Sequence, residues 1–406
     1  MNLPFGVVFD LILLIIIIGH FMIRSEKKSD FLSNPFFVLY SFWILYTLIQ
    51  VFNPNSTSID GWLRGFRFLI SAILTYVIYD HVFTDRRFLI LFTKVWVSVA
   101  FLAASYGLFQ EFFGLPFFDL RWVTKTEIRF GLNWIDGRWR KWSFMADSSI
   151  FGIFMAASSV FCLIMSQGKY KFAKKMVLVF MSVLMLIAMV FSGTRTAYIV
   201  VPVGLSIYSL ISIDSLKTRI LIIISVFSLL FVLYAPIYNP MFHRIRTAFN
   251  PTEDASYNVR EVNRAYIQPY IYSHPMGGGI NTVGASGKEF SPSHELAGFP
   301  PDSLFLSIAL EYGWIGLILF ELITLVVIVQ GIINYFKAHD PTIKALYAAY
   351  ISFYFALIVA GFAQDALFSF PVNYIFMAIN VLMYKMILLQ DDQFKNSTSS
   401  QGVNGK

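Results

Sequence analysis

The chain carries one cysteine in 406 residues, Cys162. A lone thiol cannot staple a loop, so any segment that faces an oxidising space must be ordered by packing alone. Charge is also scarce. Asp, Glu, Lys and Arg make up 14% of the residues, where a soluble domain carries about a quarter. Several signatures are absent: a Walker loop, a dinucleotide-binding glycine fingerprint, a CxxC pair and a His-x-x-x-His helix. Nucleotide and metal chemistry therefore have little support, and no cofactor is expected. No repeat with a period of roughly 20–50 residues appears, which argues against a solenoid or propeller. The net charge of +7 does not imply nucleic acid, because the basic residues are divided among separate loops.

What the chain has in abundance is hydrocarbon, with 57% of its residues hydrophobic. A membrane-crossing helix needs about 20 apolar residues. Eleven runs approach that length, near 4–23, 35–52, 66–83, 88–114, 148–166, 175–192, 196–213, 218–236, 303–334, 343–363 and 370–390. The expected fold is an all-α integral membrane protein, a polytopic bundle of about 11 helices forming a single membrane domain over 1–390. The first run reads as an anchor, not a cleaved signal, because Arg24, Lys27 and Lys28 follow it and no small-residue cleavage site is evident. Lys and Arg in short loops stay on the cytoplasmic side. They follow runs one, three (Arg86, Arg87), five (Lys169, Lys171, Lys174, Lys175), seven (Lys217, Arg219) and nine (Lys337, Lys344). The even gaps then face outside, and residues 391–406 read as a disordered cytoplasmic tail.

Two outside loops break the charge rule. Residues 115–147 carry Arg121, Lys125, Arg129, Arg138, Arg140 and Lys141, and residues 237–302 carry Arg244, Arg246, Arg260, Arg264 and Lys288. Long loops translocate regardless of charge, so indifferent surface cations are one reading. Arg outnumbers Lys here, and its planar fork suits phosphate, so an anionic ligand is the other. Within the second loop a short amphipathic helix is expected over 254–268, with Val259, Val262 and Tyr266 on one face and Arg260 and Arg264 together on another. Pro269 should end or kink it. Two like charges one turn apart repel unless an anion lies between them or acids such as Glu253, Asp254 or Glu261 pair with them. Arg195, at the junction of two apolar runs, must snorkel, pair or meet a ligand.

The run from Asp302-Ser303 through nine residues to Gly313-Trp314-Ile315-Gly316 closes the second loop and opens a hydrophobic helix. It resembles the signature of the O-antigen polymerase and ligase superfamily, with Asp302 standing where the ligases carry His. Three further segments are similar to that family: "RWRKWSFMADSSIFGIFM", "FSGTRTAYIVV" and "NVREVNRAYIQPYIYSHPMGGGI". Pro-Asn is usual where this chain has Ala146-Asp147, and Trp is usual at Arg264. The resemblance implies a metal-independent glycosyltransferase. It implies a fold of twelve spans with both ends inside, which the count of eleven does not match. It also implies that Arg195 and Arg260 hold a lipid diphosphate, and Arg264, one turn after Arg260, is expected to join them.

Asp302 has two readings. Pro300-Pro301-Asp302-Ser303 before an apolar run is an ordinary helix start, with Asp or Ser as cap. The alternative is a general base that takes the proton of an acceptor hydroxyl, with His294 as its rival and His274 as a weaker one. An unbroken 303–334 helix of about 48 Å would raise Asp302 to the outer interface, and Gly313 and Gly316 would serve close helix packing. The function expected is polymerisation of lipid-linked oligosaccharide repeats by transfer from an undecaprenyl diphosphate-linked donor to a lipid-linked acceptor, with Arg138 and Arg140 seating the second lipid. A chain-length regulator is a further expected partner, and no nucleic acid is. The expected location is the bacterial cytoplasmic (inner) membrane, with the site facing outward. A ligase that moves finished glycan to lipid A core or protein is the nearest alternative. A solute transporter or flippase is the alternative from another class, although such proteins place polar groups at the bilayer midplane.

Overall fold

The computed structural model describes residues 5–22, 31–135, 137–234, 236, 245–246, 249 and 255–401. Every one of the eleven apolar runs is a helix, because in hydrocarbon a lone segment satisfies its backbone N–H and C=O groups only by intrahelical bonds. In chain order the helices are α1 (Phe5–Met22), α2 (Pro35–Ile49), α3 (Ile59–Val82), α4 (Arg86–Phe112), α5 (Phe117–Val123), α6 (Glu127–Asn133), α7 (Ser148–Ser166), α8 (Phe172–Phe191), α9 (Arg195–Ile211), α10 (Leu216–Tyr234), α11 (Ala255–Ser273), α12 (Gly284–Phe290), α13 (Leu304–Lys337), α14 (Pro341–Ala360) and α15 (Val372–Gln401). A small antiparallel hairpin, β1 (Trp134–Ile135) and β2 (Arg138–Trp139), follows α6. Among the described residues nine helices are long and apolar enough to cross a membrane. Helix α9 is shorter, at 17 residues. The chain is a multi-pass membrane protein.

Two compact units divide the chain. One holds Ile90–Arg260 and Ile332–Asn373. Its centre is α7, buried along nearly its whole length with Cys162 inside it, and α8, α9 and α14 pack around it. Small residues set the spacing: a Cβ on Gly204 would meet Val160 at 3.0 Å and Ala356 at 3.4 Å. Trp96, Phe161, Tyr350 and Phe353 form an aromatic cluster between α4, α7 and α14.

The other unit holds Met1–Leu89, Glu261–Gly331 and Tyr374–Lys406. Trp43 on α2 meets Tyr312 and Phe320 on α13, and Phe36 stacks on Tyr76 of α3. Deep in the unit Lys385 Nζ lies 2.9 Å from Asp80 Oδ2, with the two side chains 11% and 1% exposed, and also donates to the Asp80 carbonyl. Each charge satisfies the other in surroundings that neither could occupy alone.

Three expectations need correction. Helix α13 is not one straight span, because Gly313, at φ 67° and ψ −164°, breaks it. Asp302 is therefore not raised on a continuous 48 Å rod. Helix α3 begins at Ile59, well before residue 66, because Ser58 caps it through the Gly61 N–H at 3.1 Å, and this brings Arg64 and Arg67 into the helix. Helix α11 runs past Pro269 to Ser273. A proline removes one N–H and does not prevent the following carbonyls from being used, and Pro269 and Tyr270 accept from Ser273 Oγ and the His274 N–H. The last helix is described through Gln401. Arg24, Lys27, Lys28, Arg244, Glu253, Asp254 and the segment 402–406 lie outside the described residues.

Candidate active site

In the unit built on α7, the segment before Arg195 is a tight turn clamped from three sides. Gly193 takes φ +62°, a conformation open to glycine at little cost. Gly152 of α7 lies beneath it, where a Cβ would come within 2.3 Å of Ser192 Oγ and 2.9 Å of Thr194 Cβ. Thr194 Oγ1 donates to the Ser148 carbonyl at 3.0 Å. Asp147 caps α7 by accepting from the Ser149 and Ile150 N–H groups, so Ala146-Asp147 begins this helix without the usual Pro-Asn.

Arg140 supplies the third clamp. Its Nε donates to the Ser192 carbonyl at 2.8 Å, and its Nη2 to Thr194 Oγ1 at 2.9 Å and Ser149 Oγ at 3.3 Å. Its Nη1 reaches the Leu132 carbonyl at 3.1 Å. Through these contacts the half-buried Arg140 holds the turn that presents Arg195. Lys141 is likewise engaged, 3.2 Å from Glu111, and Arg129 lies over the Trp122 ring at 4.7 Å. Arg138 is exposed at the hairpin. Arg195 is half-buried and is the first residue of α9. Thr194 makes no side-chain cap to that helix, since its hydroxyl donates elsewhere. The positive end of the α9 dipole and a guanidinium therefore occupy the same turn, an arrangement that favours an anion.

In the other unit the glycine turn at 277–279 docks into the break of α13. The Gly278 and Gly279 N–H groups donate to the Leu310 and Glu311 carbonyls at 2.7 and 3.1 Å, and the Trp314 N–H donates to Pro275 at 3.0 Å. Tyr46 Oη donates to the Tyr312 carbonyl at 2.8 Å. These bonds satisfy the groups that the broken helix leaves open. From below, Gln50 Nε2 donates to the Met276 carbonyl at 2.8 Å, and Asn53 and Asn55 both donate to Gly277 at 3.1 Å. Gly313 therefore serves a backbone-to-backbone junction: a Cβ on it would come within 2.1 Å of the Pro275 carbonyl oxygen.

Two histidines border this junction. His294 is 9% exposed. Its Nδ1 accepts from the Leu296 N–H at 3.2 Å and its Nε2 lies 3.1 Å from Tyr270 Oη. The neutral ring must then carry its proton on Nε2 and donate it to the tyrosine. Burial, with His274 adding and Glu295 opposing, pushes its pKa below the usual 6.5. Burial, assisted by Glu295, pushes the Tyr270 hydroxyl up to about 12, so it remains protonated. With both nitrogens occupied, His294 reads as a structural member of the loop core formed by Ile267, Tyr270, Leu296 and Leu310. His274 is different: its Nδ1 faces the Tyr270 carbonyl at 3.1 Å, which leaves the Nε2 lone pair as the basic position.

Asp302 is half-buried with φ +54°. The Ser303 N–H closes a three-residue turn onto the Pro301 carbonyl at 2.7 Å. A helix cap takes extended backbone, so Asp302 is not the cap. Ser303 starts the helix, its carbonyl accepting from the Ser307 N–H at 2.9 Å. Left-handed backbone at a non-glycine residue is a strained state that concentrates at functional sites. In α11, Arg264 pairs with Glu261 at 3.1 Å, the exposed-pair reading, while Arg260 is half-buried. The face carrying Val259, Val262 and Tyr266 is exposed.

Residues 180–320 match the O-Antigen ligase family. The match takes in the Ser192–Arg195 turn, Arg260, Arg264, His274, His294, Asp302 and the Gly313 break, and it supports the superfamily resemblance read from the motifs. No curated protein matches the chain. The O-antigen ligase match supports glycosyl transfer as the general activity. Sequence reasoning missed Gln50, Asn53 and Asn55, although their Asn-rich run after an apolar segment was the available signal. It also missed the Asp80–Lys385 pair, because its two halves lie in different apolar runs.

Proposed function

We propose that the protein is a metal-independent polymerase of lipid-linked oligosaccharide repeats, acting on the outer face of the bacterial cytoplasmic membrane with an undecaprenyl diphosphate-linked donor. The observation that carries the reading is the α9 entrance, where Arg195 and a helix N-terminus lacking its side-chain cap share one turn. A cation at that end of a helix is unfavourable by itself and favourable once an anion binds. The acceptor sugar hydroxyl attacks the anomeric carbon, the bond from that carbon to the diphosphate oxygen breaks, and the electron pair departs with the diphosphate. Arg195 and Arg260 stabilise the charge that develops on the leaving group, Arg264 supports them, and Arg138 helps seat the acceptor lipid. Asp302 takes the hydroxyl proton.

The test is chain extension of a synthetic lipid-diphosphate repeat by the purified protein in nanodiscs. Arg195→Lys keeps the charge but loses the fork, and each lost contact of about 1.5–3 kcal/mol lowers the rate roughly 10- to 150-fold. Asp302→Asn tolerates the left-handed turn but cannot accept a proton, so it loses most of a factor of about 10²–10⁴. An active Asp302→Asn enzyme beside an inactive, folded His274→Gln enzyme would move the base to His274. Accumulation of full-length polymer on its lipid carrier in a knockout strain would identify a ligase instead.

A further inference from the structure

Between Lys344 and Lys385 the chain carries a single charged residue, Asp365, in the connector that follows α14. The packing of its unit brings that connector to the Arg195 turn. Helix α14 runs antiparallel to α7: a Cβ on Gly168, just past the end of α7, would meet Ala345 at 3.3 Å, and further along Tyr350 meets Phe161 and Phe353 meets Phe154. The C-terminal end of α14 therefore reaches the start of α7, where the Ser148 carbonyl holds Thr194. Helix α9 gives a similar height. Its Gly204 lies against Ala356, and Arg195 and Asp365 each stand nine positions outward of that contact, about 14 Å along a helix. The coil of α14 is prolonged to Gln364 by bonds from the Gly361, Phe362, Ala363 and Gln364 N–H groups to carbonyls of its last turn, so the measure holds for both residues.

Asp365 is exposed, and its Oδ1 accepts from the Phe368 N–H at 3.4 Å. Among the described residues its carboxylate has no ion pair, and the half-buried Gln364 beside it makes no side-chain hydrogen bond. The protein crowded around Asp365, opposed by the Phe368 N–H, pushes its pKa up to about 6, the direction expected of a carboxylate that no cation compensates. It is still ionised at neutral pH. A charge kept at the edge of a membrane without a protein partner points to a ligand.

We propose that Asp365, with Gln364 beside it, binds hydroxyls of the sugar joined directly to the diphosphate and so selects the donor. The inference rests on the reading of the Arg195 turn as the diphosphate site. That sugar hangs from the diphosphate by the bond that breaks, so its ring lies next to the phosphates that Arg195 would grip. A carboxylate accepts from two hydroxyls at once and an amide both donates and accepts, which suits a ring bearing neighbouring hydroxyls. A site built to pair with a hydroxyl rejects an analogue that lacks it.

The test uses the full-length protein in nanodiscs and synthetic lipid-diphosphate donors, one with its first sugar intact and a set lacking one ring hydroxyl each. On the intact donor Asp365→Asn lowers kcat/KM about 10- to 150-fold. On the donor without the recognised hydroxyl, which the wild type also uses poorly, Asp365→Asn matches the wild type. Gln364→Ala is the second variant and shows a smaller loss that also depends on the donor. Melting temperatures monitor folding, and should Asp365→Asn unfold, the decision passes to Gln364→Ala. Undiminished use of the intact donor by both variants, or an equal loss on every donor, would overturn the proposal. Inhibition by the sugar-free lipid diphosphate separates this inference from the reading beneath it: Asp365→Asn leaves that inhibition unchanged, whereas Arg195→Lys weakens it. Unchanged inhibition in Arg195→Lys would instead overturn the diphosphate site, and the sugar site with it.

Discussion

Replacing Gly313 by alanine tests whether the signature glycine exists for a backbone junction. At φ 67° and ψ −164° the residue lies in a region that side-chain-bearing residues essentially do not occupy, and forcing one there costs about 1–3 kcal/mol. The new Cβ would also meet the Pro275 carbonyl oxygen at 2.1 Å and the Gly277 nitrogen at 2.6 Å, and both are backbone atoms held by the bonds from Trp314, Gly278 and Gly279. The clash is relieved only if the turn moves away. That movement strains or breaks three backbone hydrogen bonds worth about 0.5–1.5 kcal/mol each. The combined loss is roughly 3–7 kcal/mol. At about 2–4 °C per kcal/mol for a unit of this size, the melting midpoint should fall by at least about 6 °C. Gly131→Ala is the control, because nothing lies within 4 Å of its added Cβ and a helical Gly→Ala change stabilises by about 0.4–1 kcal/mol. The assay is thermal unfolding of the detergent-purified protein followed by size-exclusion chromatography. A Gly313→Ala midpoint equal to wild type would refute the reasoning, since the turn would then tolerate a side chain that the geometry excludes.

Arg140→Lys should abolish the two-pronged hold on Ser192 and Thr194 and reduce glycan synthesis as Arg195→Lys does, while the Arg140→Lys/Arg195→Lys double variant falls little further. Full additivity would mean that Arg140 acts separately from Arg195. Burial lowers the His294 pKa, so the unfolded loop binds more protons than the folded one below about pH 6.5, and stability is lost as pH falls through this range but not as it rises. Limited proteolysis of 274–303 should accelerate at pH 5 in the wild type, with a smaller pH response in His294→Asn; equal pH responses would exclude His294 as the cause. Asp80→Asn or Lys385→Met leaves an uncompensated buried charge or its remnant and should cost about 3–5 kcal/mol, while the Asp80→Leu/Lys385→Met double variant recovers most of it. Membrane accumulation measures this, and a double variant worse than both singles would contradict the paired reading.

The helices themselves are readable from composition, because in hydrocarbon an apolar run has almost no alternative to a helix. All eleven runs were therefore found. The errors fall where one-dimensional hydropathy carries no information. Asp60, Arg64 and Arg67 hid the first turns of α3, although Ser58 could cap them. The break at Gly313 leaves the apolar run uninterrupted and is visible only once a turn from another part of the chain has docked into it. The site divides in the same way. Motif spacing singled out Arg195, Arg260 and Asp302, because residue type and local order suffice to suggest an anion grip and a base. Tertiary structure alone decided that Arg140 clamps the Ser192–Thr194 turn, that both nitrogens of His294 are occupied, and that Asp302 lies in a left-handed turn ahead of the helix cap. Each of those outcomes depends on which donors and acceptors meet across the fold. A hydrogen bond between Arg140 and Ser192, or a Cβ clash between Gly313 and Pro275, exists only after the chain has brought distant segments into contact.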